Sequence, residues 1–249
     1  MLINRTSDNP NGSGSATTYL DSTGANNTTI RLTTANAKAL GLAVGTGAVG
    51  ACALTCDASI TFSNAFAFDL NPLDGIAAGQ FDFVGIAAHE IGHALGFISG
   101  VDILDINSPP VNGPFTANQF TFVNSLDLCR YSGASRALSV IDFSADTRNK
   151  YFSIDGGATA IANFSTGVNF GDGRQASHWK DNLGLGIMDP TAGLGELLAI
   201  GTNDLQAFDV IGWDLAGPSN NTPEPSALAL VGLSLAGLAF SRRRRARSA

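Results

Sequence analysis

The chain has 249 residues, of which 44% are hydrophobic and 14% are charged, and its formal net charge is −7. This composition is typical of one large folded domain or two small ones, and it excludes an intrinsically disordered chain. Four of the basic residues form the run 242–245, so the rest of the chain is more acidic still, and we expect no nucleic-acid partner.

The N-terminal region is polar and rich in Gly, Ser and Asn over residues 1–27. It lacks the charged segment followed by an apolar segment that marks a signal peptide. Because the other end of the chain has features of an exported protein, we expect that the natural start lies further upstream. Residues 28–34 alternate and are rich in β-branched side chains, which predicts a strand. Residues 35–40 predict a short helix that ends near Gly41.

The chain contains three cysteines, which are Cys52, Cys56 and Cys129. Cys52 and Cys56 are close enough in sequence to form a small disulfide loop. Three independent thiols, or one pair and one spare thiol, are the alternatives. A metal site is a weaker interpretation, because two thiols without a nearby His rarely suffice.

Apolar and polar residues alternate again over residues 58–68. This pattern predicts a strand that could form a sheet edge beside a cleft. Residues 69–74 contain a Pro and predict a loop. From residue 77 the chain enters a helical pattern, with apolar residues three and four apart up to residue 98.

This helical stretch contains the pattern H-E-x-x-H, formed by His89, Glu90 and His93. Residues four apart on a helix lie one above the other, so the two imidazoles could bind one metal ion. Glu90 lies on the adjoining strip and can reach a water molecule on that ion without being a ligand. This geometry is that of a zinc site with a general base.

Apolar residues surround the helix on nearly all sides, which predicts that it is buried. Gly85 and Gly92 weaken a helix by roughly 1 kcal/mol each, so packing or a metal must compensate. Gly96 is the expected stop, with a positive φ that turns the chain.

The remaining elements are predicted with less detail. Residues 107–114 indicate a loop, and residues 120–131 indicate a helix that turns into a strand. Residues 151–154 and 158–164 flank an Asp-Gly-Gly turn and predict a hairpin. A Gly- and Asp-rich loop follows over 166–175, and a closing helix is expected over 203–213, with Asp204 near its start.

A second informative stretch is ASHWKDNLGLGIMDPT, residues 176–191, which contains His178 and Met188. Together with HEIGHALGF at 89–97, it resembles the metzincin clan of zinc peptidases, and most closely its leishmanolysin-like branch. In most metzincins the third His lies six residues after the second, where this chain has Ser99. In the leishmanolysin-like branch an insertion separates them, and a Trp often follows the third His, as it does here.

The resemblance implies that His89, His93 and His178 bind Zn²⁺, that Glu90 is the general base, and that Met188 forms the Met-turn beneath the metal. It implies an α+β, zincin-like fold with a small mixed sheet, an active-site helix, a loop-rich C-terminal subdomain and a short C-terminal apolar helix. The implied activity is that of a secreted or cell-surface endopeptidase, which hydrolyses peptide bonds in protein or peptide substrates with a metal-activated water.

Several alternatives remain open at this point. Asp102, Asp105 or Glu196 could replace His178 as the third ligand, and Met188 could be an ordinary core residue. The carboxylates that could orient a ligand His are those of Asp102, Asp181 and Asp189. The chain could also be a catalytically silent, peptidase-like surface or matrix protein, or a zinc hydrolase that cleaves another bond.

The C-terminal tail has three parts: Pro223-Glu224-Pro225, an apolar run at 227–240, and the Arg run at 242–245. This pattern resembles the PEP-CTERM sorting signal of Gram-negative bacteria; an ordinary C-terminal anchor is the alternative. The resemblance implies export, transient anchoring in the inner membrane, cleavage by an exosortase-type enzyme, and a final place at the cell surface or outside the cell. We therefore predict a catalytic domain at 1–216, a linker at 217–226 and a sorting segment at 227–249.

Overall fold

The structure is a computed structural model that describes residues 29–50, 52–107, 115 and 119–215, without the side chain of Leu54. The described residues as far as Asp214 belong to one compact unit. The predicted boundary at 216/217 and the apolar segment 227–240 lie outside the described residues, so both stay predictions.

Within the described ranges the unit is α+β, as predicted, and its elements are short. The helices are α1 (Thr34–Ala39), α2 (Phe83–Leu95), α3 (Val101–Asn107), α4 (Gly133–Ala137) and α5 (Thr202–Val210). The strands are β1 (Gly47–Val49), β2 (Cys52–Cys56), β3 (Phe68–Asp69), β4 (Phe81–Asp82), β5 (Arg130–Tyr131), β6 (Lys150–Phe152) and β7 (Ala162–Phe164).

The strands form three separate sheets in the described part of the chain, whereas one mixed sheet was expected. β1 and β2 pair antiparallel, β3 and β4 pair parallel, and β5, β6 and β7 form an antiparallel sheet in that order. The predicted hairpin is confirmed as β6 and β7, with Tyr151 opposite Asn163. The predicted passage from helix to strand is also confirmed, as a 3-10 turn at Leu126–Cys129 that leads into β5.

The strand expected over residues 28–34 is wrong for its described part. Residues 29–33 have no regular structure. Arg31 ties them to the body of the unit, because its N–H donates to the Val123 carbonyl, its carbonyl accepts Nδ2–H of Asn124, and its guanidinium donates to Thr121. Thr33 caps α1 instead, because its hydroxyl accepts the N–H of Asn36. The helix predicted over 35–40 is confirmed, and Gly41 ends it with φ 76°.

The strand expected over residues 58–68 is also wrong, apart from its last residue. Only Phe68 joins a ladder, in β3, while residues 58–67 are not in a strand. The alternation instead reflects packing of aromatic rings, because Phe62 and Phe68 both lie against Phe83 at the start of α2, with centroids 5.0 and 5.4 Å away. The predicted loop over 69–74 contains a 3-10 turn at Pro72–Asp74.

Two clusters of buried side chains form the core. One lies between α3 and the chain on either side of β5, and its fully buried members include Phe120, Phe143 and Leu104. The other surrounds Trp179 and joins the end of α2, the β6–β7 hairpin and α5. The second cluster supports the residues of the candidate site.

The cysteines divide into one pair and one free thiol. Cys52 and Cys56 form a disulfide at the two ends of β2, which is one of the arrangements considered from the sequence. Cys129 is free and buried, and it directly precedes β5 in the chain.

Candidate metal centre

The helix α2 begins later than expected, at Phe83, because Asp82 caps it. One carboxylate oxygen of Asp82 accepts the Gly85 N–H at 2.9 Å, and the other accepts the Leu198 N–H at 3.0 Å. The helix ends as predicted at Gly96, whose φ is 116°. These two signals place the H-E-x-x-H pattern in the last two turns of the helix.

The expectation that α2 is buried on all sides is wrong. Val84 and Ile91 are 46% and 47% exposed, and the buried positions of the helix are Gly85 and Gly92. The spacing of apolar residues therefore predicted more burial than α2 has, because the short sheets cover only part of the helix. Ala88 packs against the second core cluster, and the two glycines allow neighbouring side chains to approach the helix backbone closely.

The three histidines of the chain come together at one point. The Nε2 atom of His93 lies 3.1 Å from Nε2 of His89 and 3.1 Å from Nε2 of His178, and the last two atoms are 3.3 Å apart. Among the described residues these three form the group that could hold a metal ion. The structure thus places the distant His178 beside the pair on α2.

The second nitrogen of each ring faces a backbone carbonyl. Nδ1 of His89 lies 2.8 Å from the oxygen of Ile187, Nδ1 of His93 lies 2.7 Å from the oxygen of Phe97, and Nδ1 of His178 lies 3.3 Å from the oxygen of Gln175. A carbonyl can only accept a hydrogen bond, so each Nδ1 carries the proton.

The three Nε2 atoms are therefore unprotonated when the rings are neutral, and their lone pairs face one another. No proton joins them, so their short separations are not hydrogen bonds. Burial lowers the pKa of His93, and burial together with the neighbouring His93 and His89 lowers the pKa of His178 to about 3. For His93 and His178 these shifts favour the neutral form, which is the form that can bind a metal.

This donor set fits a zinc ion. Tetrahedral nitrogen ligands at about 2.0–2.1 Å from zinc lie about 3.3 Å from each other, close to the observed separations. Each Nδ1–H is anchored by a carbonyl, which fixes the ring orientation as metal sites require. Three protein ligands without a fourth are typical of catalytic zinc, whereas structural zinc sites are closed by four.

Backbone pairing with the β6–β7 hairpin holds His178 in place. The Ser165 N–H donates to the His178 carbonyl at 3.0 Å, and the Ser165 hydroxyl donates to the Trp179 carbonyl at 2.8 Å. The Trp179 ring is fully buried and packs on Phe97 and Phe164, with centroids 4.9 and 5.0 Å away. The third histidine is thus attached to the core through the residue that follows it.

Met188 is fully buried and lies against α2 between the two helical histidines. A β-carbon added to Gly92 would stand 2.6 Å from the Met188 sulfur, so the glycine makes room for the thioether. The Met188 carbonyl accepts the Trp179 N–H at 2.9 Å. The turn that carries Met188 therefore contacts both the helix and the segment of His178.

Asp204, at the start of α5, ties these segments together, and its role was not foreseen from the sequence. Its buried carboxylate accepts Nε1–H of Trp179 and the N–H groups of Ile187 and Gly201, each at 2.7 Å, and that of Met188 at 3.3 Å. Ile187 in turn orients His89. In the sequence Asp204 is an Asp in the first turn of a predicted helix, and this position indicates only a helix cap.

The alternative ligands are engaged elsewhere. Asp102 accepts the Ala176 N–H, Asp105 accepts the N–H groups of Asn169 and Phe170, and Glu196 accepts the Gly193 N–H. Asp102 and Asp105 thus clamp the loop that leads to His178, which explains their position on α3 without making them ligands.

The carboxylates proposed to orient a histidine do not contact an imidazole. Asp181 binds Arg174 and the Thr191 hydroxyl, and Asp189 accepts the Thr191 N–H. Ser99, at the usual metzincin position, donates to Asp127. Backbone carbonyls therefore take the orienting role that was expected of carboxylates.

A cleft borders the histidines on several sides. Cavities of about 510, 520 and 480 Å³ all include His93 in their walls. Glu90 is exposed and lines two of them, and its side chain makes no hydrogen bond or salt bridge to another described residue. Residues 58–62 form one wall beside Glu90, so this segment lies at the cleft as expected although it is not a strand.

A model of the PEP-CTERM protein-sorting motif matches residues 221–245. The motif indicates an exported protein of a Gram-negative bacterium that is recognised by an exosortase-type enzyme and sorted through a membrane anchor. No curated protein and no solved structure matches the chain. No helix in the described part of the chain is long and apolar enough to cross a membrane; the matched residues lie outside that part.

Proposed function

We propose that this protein is an exported, zinc-dependent endopeptidase of metzincin-like fold, related to the leishmanolysin-like branch. His89, His93 and His178 are the proposed zinc ligands, and Glu90 is the proposed general base. The observation that carries the proposal is the meeting of three Nε2 atoms within 3.1–3.3 Å of one another, in rings whose Nδ1 atoms all face backbone carbonyls. Three lone pairs that face one another in a partly buried site are favourable only around a cation.

Zinc in such a site is a Lewis acid that lowers the pKa of water toward neutrality and polarises a carbonyl. Glu90 lies beside His89 at the cleft, where it accepts a proton from the attacking water and returns it to the leaving amine. The exposure of Glu90 and its freedom from salt bridges among the described residues suit this shuttle, because the carboxylate is not neutralised by a partner.

Two features support a peptide as the substrate. The cavities beside His93 adjoin each other around the proposed metal position, which suits a chain that extends to both sides of the cleaved bond. Residues 58–62 are not in a strand and border the cleft, so their backbone is available to an extended peptide. The sorting motif indicates export, which is consistent with a substrate outside the cytoplasm.

Zinc analysis tests the site directly. The purified protein should hold one zinc ion per chain, and His178→Ala should lower its zinc content sharply. Glu90→Gln should keep the zinc, because Glu90 is not a ligand. Equal zinc in wild type and His178→Ala would contradict the ligand assignment.

A protease assay on casein or gelatin tests the activity. Cleavage should stop with a chelator and return with zinc, and Glu90→Gln should reduce it by about 10²–10⁴-fold. Full zinc content without cleavage would reject the endopeptidase and leave either a silent, peptidase-like binding protein or a zinc hydrolase that cleaves another bond. Undiminished cleavage by Glu90→Gln would reject the assigned base.

A further inference from the structure

Arg174 borders the cavity whose walls include all four proposed site residues. The walls of this cavity of about 480 Å³ include His89, Glu90, His93, His178 and Arg174. Arg174 is the only Arg or Lys among the described residues that line it. Nothing in the proposed reaction uses it.

The position of Arg174 is fixed from both its backbone and its side chain. Its carbonyl accepts the Gly167 N–H at 2.9 Å. Its Nε and Nη2 atoms both lie 2.8 Å from one oxygen of Asp181, whose other oxygen accepts the Thr191 hydroxyl at 2.9 Å. A long side chain held in this way loses little conformational entropy when it binds a ligand.

The ion pair leaves part of the guanidinium available. A guanidinium has five N–H donors, and Asp181 occupies only the edge formed by Nε and Nη2. Nη1 has no partner among the described residues, and the side chain is 44% exposed. The planar group therefore offers free donors at the cleft, and its preferred partner is a carboxylate.

We propose that Arg174 binds a carboxylate of the substrate, so that the site favours peptides with Asp or Glu near the cleaved bond. This inference rests on the proposed peptidase function and adds the chemistry of the substrate. Glu90 shares the cavity and repels an acidic group, and Asp181 partly neutralises Arg174. Since the side chain is also half exposed, we expect a preference of about fivefold for the acidic peptide over its neutral counterpart.

Paired peptides measure this preference. Decapeptides that carry one Glu, moved stepwise along the sequence, are compared with the same peptides carrying Gln. Cleavage rates at low substrate concentration give the Glu/Gln ratio of kcat/KM at each position. Labelled copies of the peptides are also titrated with the zinc-loaded Glu90→Gln protein, which binds them without turnover. Fluorescence anisotropy then gives the ratio of the dissociation constants of the Gln and Glu peptides.

In the wild-type series one position should show the fivefold preference. The Glu90→Gln protein should show at least this preference in binding, because it lacks the carboxylate that repels an acidic group. Arg174→Gln should bring the ratio close to one in both measurements, whereas Arg174→Lys should keep part of it. Lys180→Gln is the matched control: Lys180 follows in the same segment and pairs with Asp172 at 2.6 Å, but it does not line this cavity. The control should keep the full ratio.

Equal binding of Glu and Gln peptides at every position, or the same ratio in Arg174→Gln as in the wild type, would overturn the inference. So would an equal fall of the ratio in Lys180→Gln, which would indicate only a change in net charge. If no peptide is cleaved while the binding ratio still depends on Arg174, the peptidase proposal fails and the carboxylate site stands.

Discussion

Met188 and Gly92 are in such close contact that any β-carbon at position 92 would stand 2.6 Å from the Met188 sulfur. Gly92 lies between His89 and His93 on α2, so this contact sets the distance between the helix and the turn beneath it. Gly92, which weakens the helix by its low helix propensity, is thus the residue that lets Met188 lie beneath the candidate metal site.

Gly92→Ala tests the importance of this contact. Overpacking costs about 1–3 kcal/mol, and the better helix propensity of Ala returns about 1 kcal/mol of this. We therefore expect a net loss of up to about 2 kcal/mol in the free energy of unfolding, together with weaker zinc binding. Urea denaturation and a zinc titration measure the two effects.

Gly133→Ala serves as the control, because Gly133 lies in α4 and a β-carbon there meets nothing within 4 Å. That variant should be unchanged or slightly stabilised, with the same zinc affinity. Identical zinc affinity in Gly92→Ala would show that the Met188 contact does not position the histidines.

Asp204→Asn tests the carboxylate that joins Trp179 to the Met188 turn. An amide of the same size places N–H donors against the N–H groups that now donate to Asp204, and each unsatisfied buried group costs about 1–3 kcal/mol. We expect a loss of about 2–4 kcal/mol in unfolding free energy and a clear fall in zinc affinity, since His89 and His178 are both oriented by the segments that Asp204 holds.

Asp209→Asn on the exposed side of the same helix should change stability by no more than about 0.5 kcal/mol. Zinc affinity relative to this control separates positioning from general stability. If Asp204→Asn loses stability but keeps full zinc affinity below its melting transition, Asp204 is a purely structural residue.

The end of α2 was predicted correctly from the sequence, whereas the strand at residues 58–68 was not, and this difference shows which parts of the fold could be predicted. Caps and stops are local, so Gly96, the helix over 35–40 and the closing helix were found from neighbouring residues alone. A strand needs a partner that is distant in sequence, and the alternation at 58–68 carries no information about one. The same limit applies to the burial of α2, because periodicity identifies apolar faces but not the elements that cover them.

The candidate site also combines features that follow from neighbouring residues with features that depend on distant ones. The pair His89 and His93 follows from helical spacing, whereas His178 rested on family resemblance, since no local pattern links residues 85 positions apart. Asp204 and Arg174 escaped notice because each gains its role only when separate loops meet. The orienting groups were missed for another reason: backbone carbonyls perform that task, and a carbonyl is present at every residue.

Cysteine titration tests the assigned disulfide. The folded, unreduced protein should show no reactive thiol, because burial raises the pKa of the Cys129 thiol to about 11, with a further contribution from Asp127. Unfolding in denaturant should expose one thiol, and subsequent reduction should expose all three. Three thiols in denaturant before reduction would show that Cys52 and Cys56 are not joined.

The acid stability of the sheet should depend on Asp146. Burial by itself raises the pKa of this carboxyl, but hydrogen bonds and charges from Arg148 and Lys150 outweigh burial and hold the pKa at about 2. The Lys150 Nζ lies 2.5 Å from one oxygen and the Arg148 Nη2 lies 2.6 Å from the other. The folded state therefore binds a proton at Asp146 more weakly than the unfolded state does.

A carboxyl with a depressed pKa stabilises the fold above its unfolded pKa of about 3.8, by about 2 kcal/mol here, and this stability is lost as the pH falls to about 2. Asp146→Asn should be strongly destabilised at pH 7, and its difference from the wild type should shrink by about 2 kcal/mol between pH 5 and pH 2. Urea denaturation at a series of pH values measures the difference, with Asp209→Asn as a control that should show no such trend. A constant difference over that range would mean that Asp146 titrates alike in both states and that its ion pairs contribute nothing to acid stability.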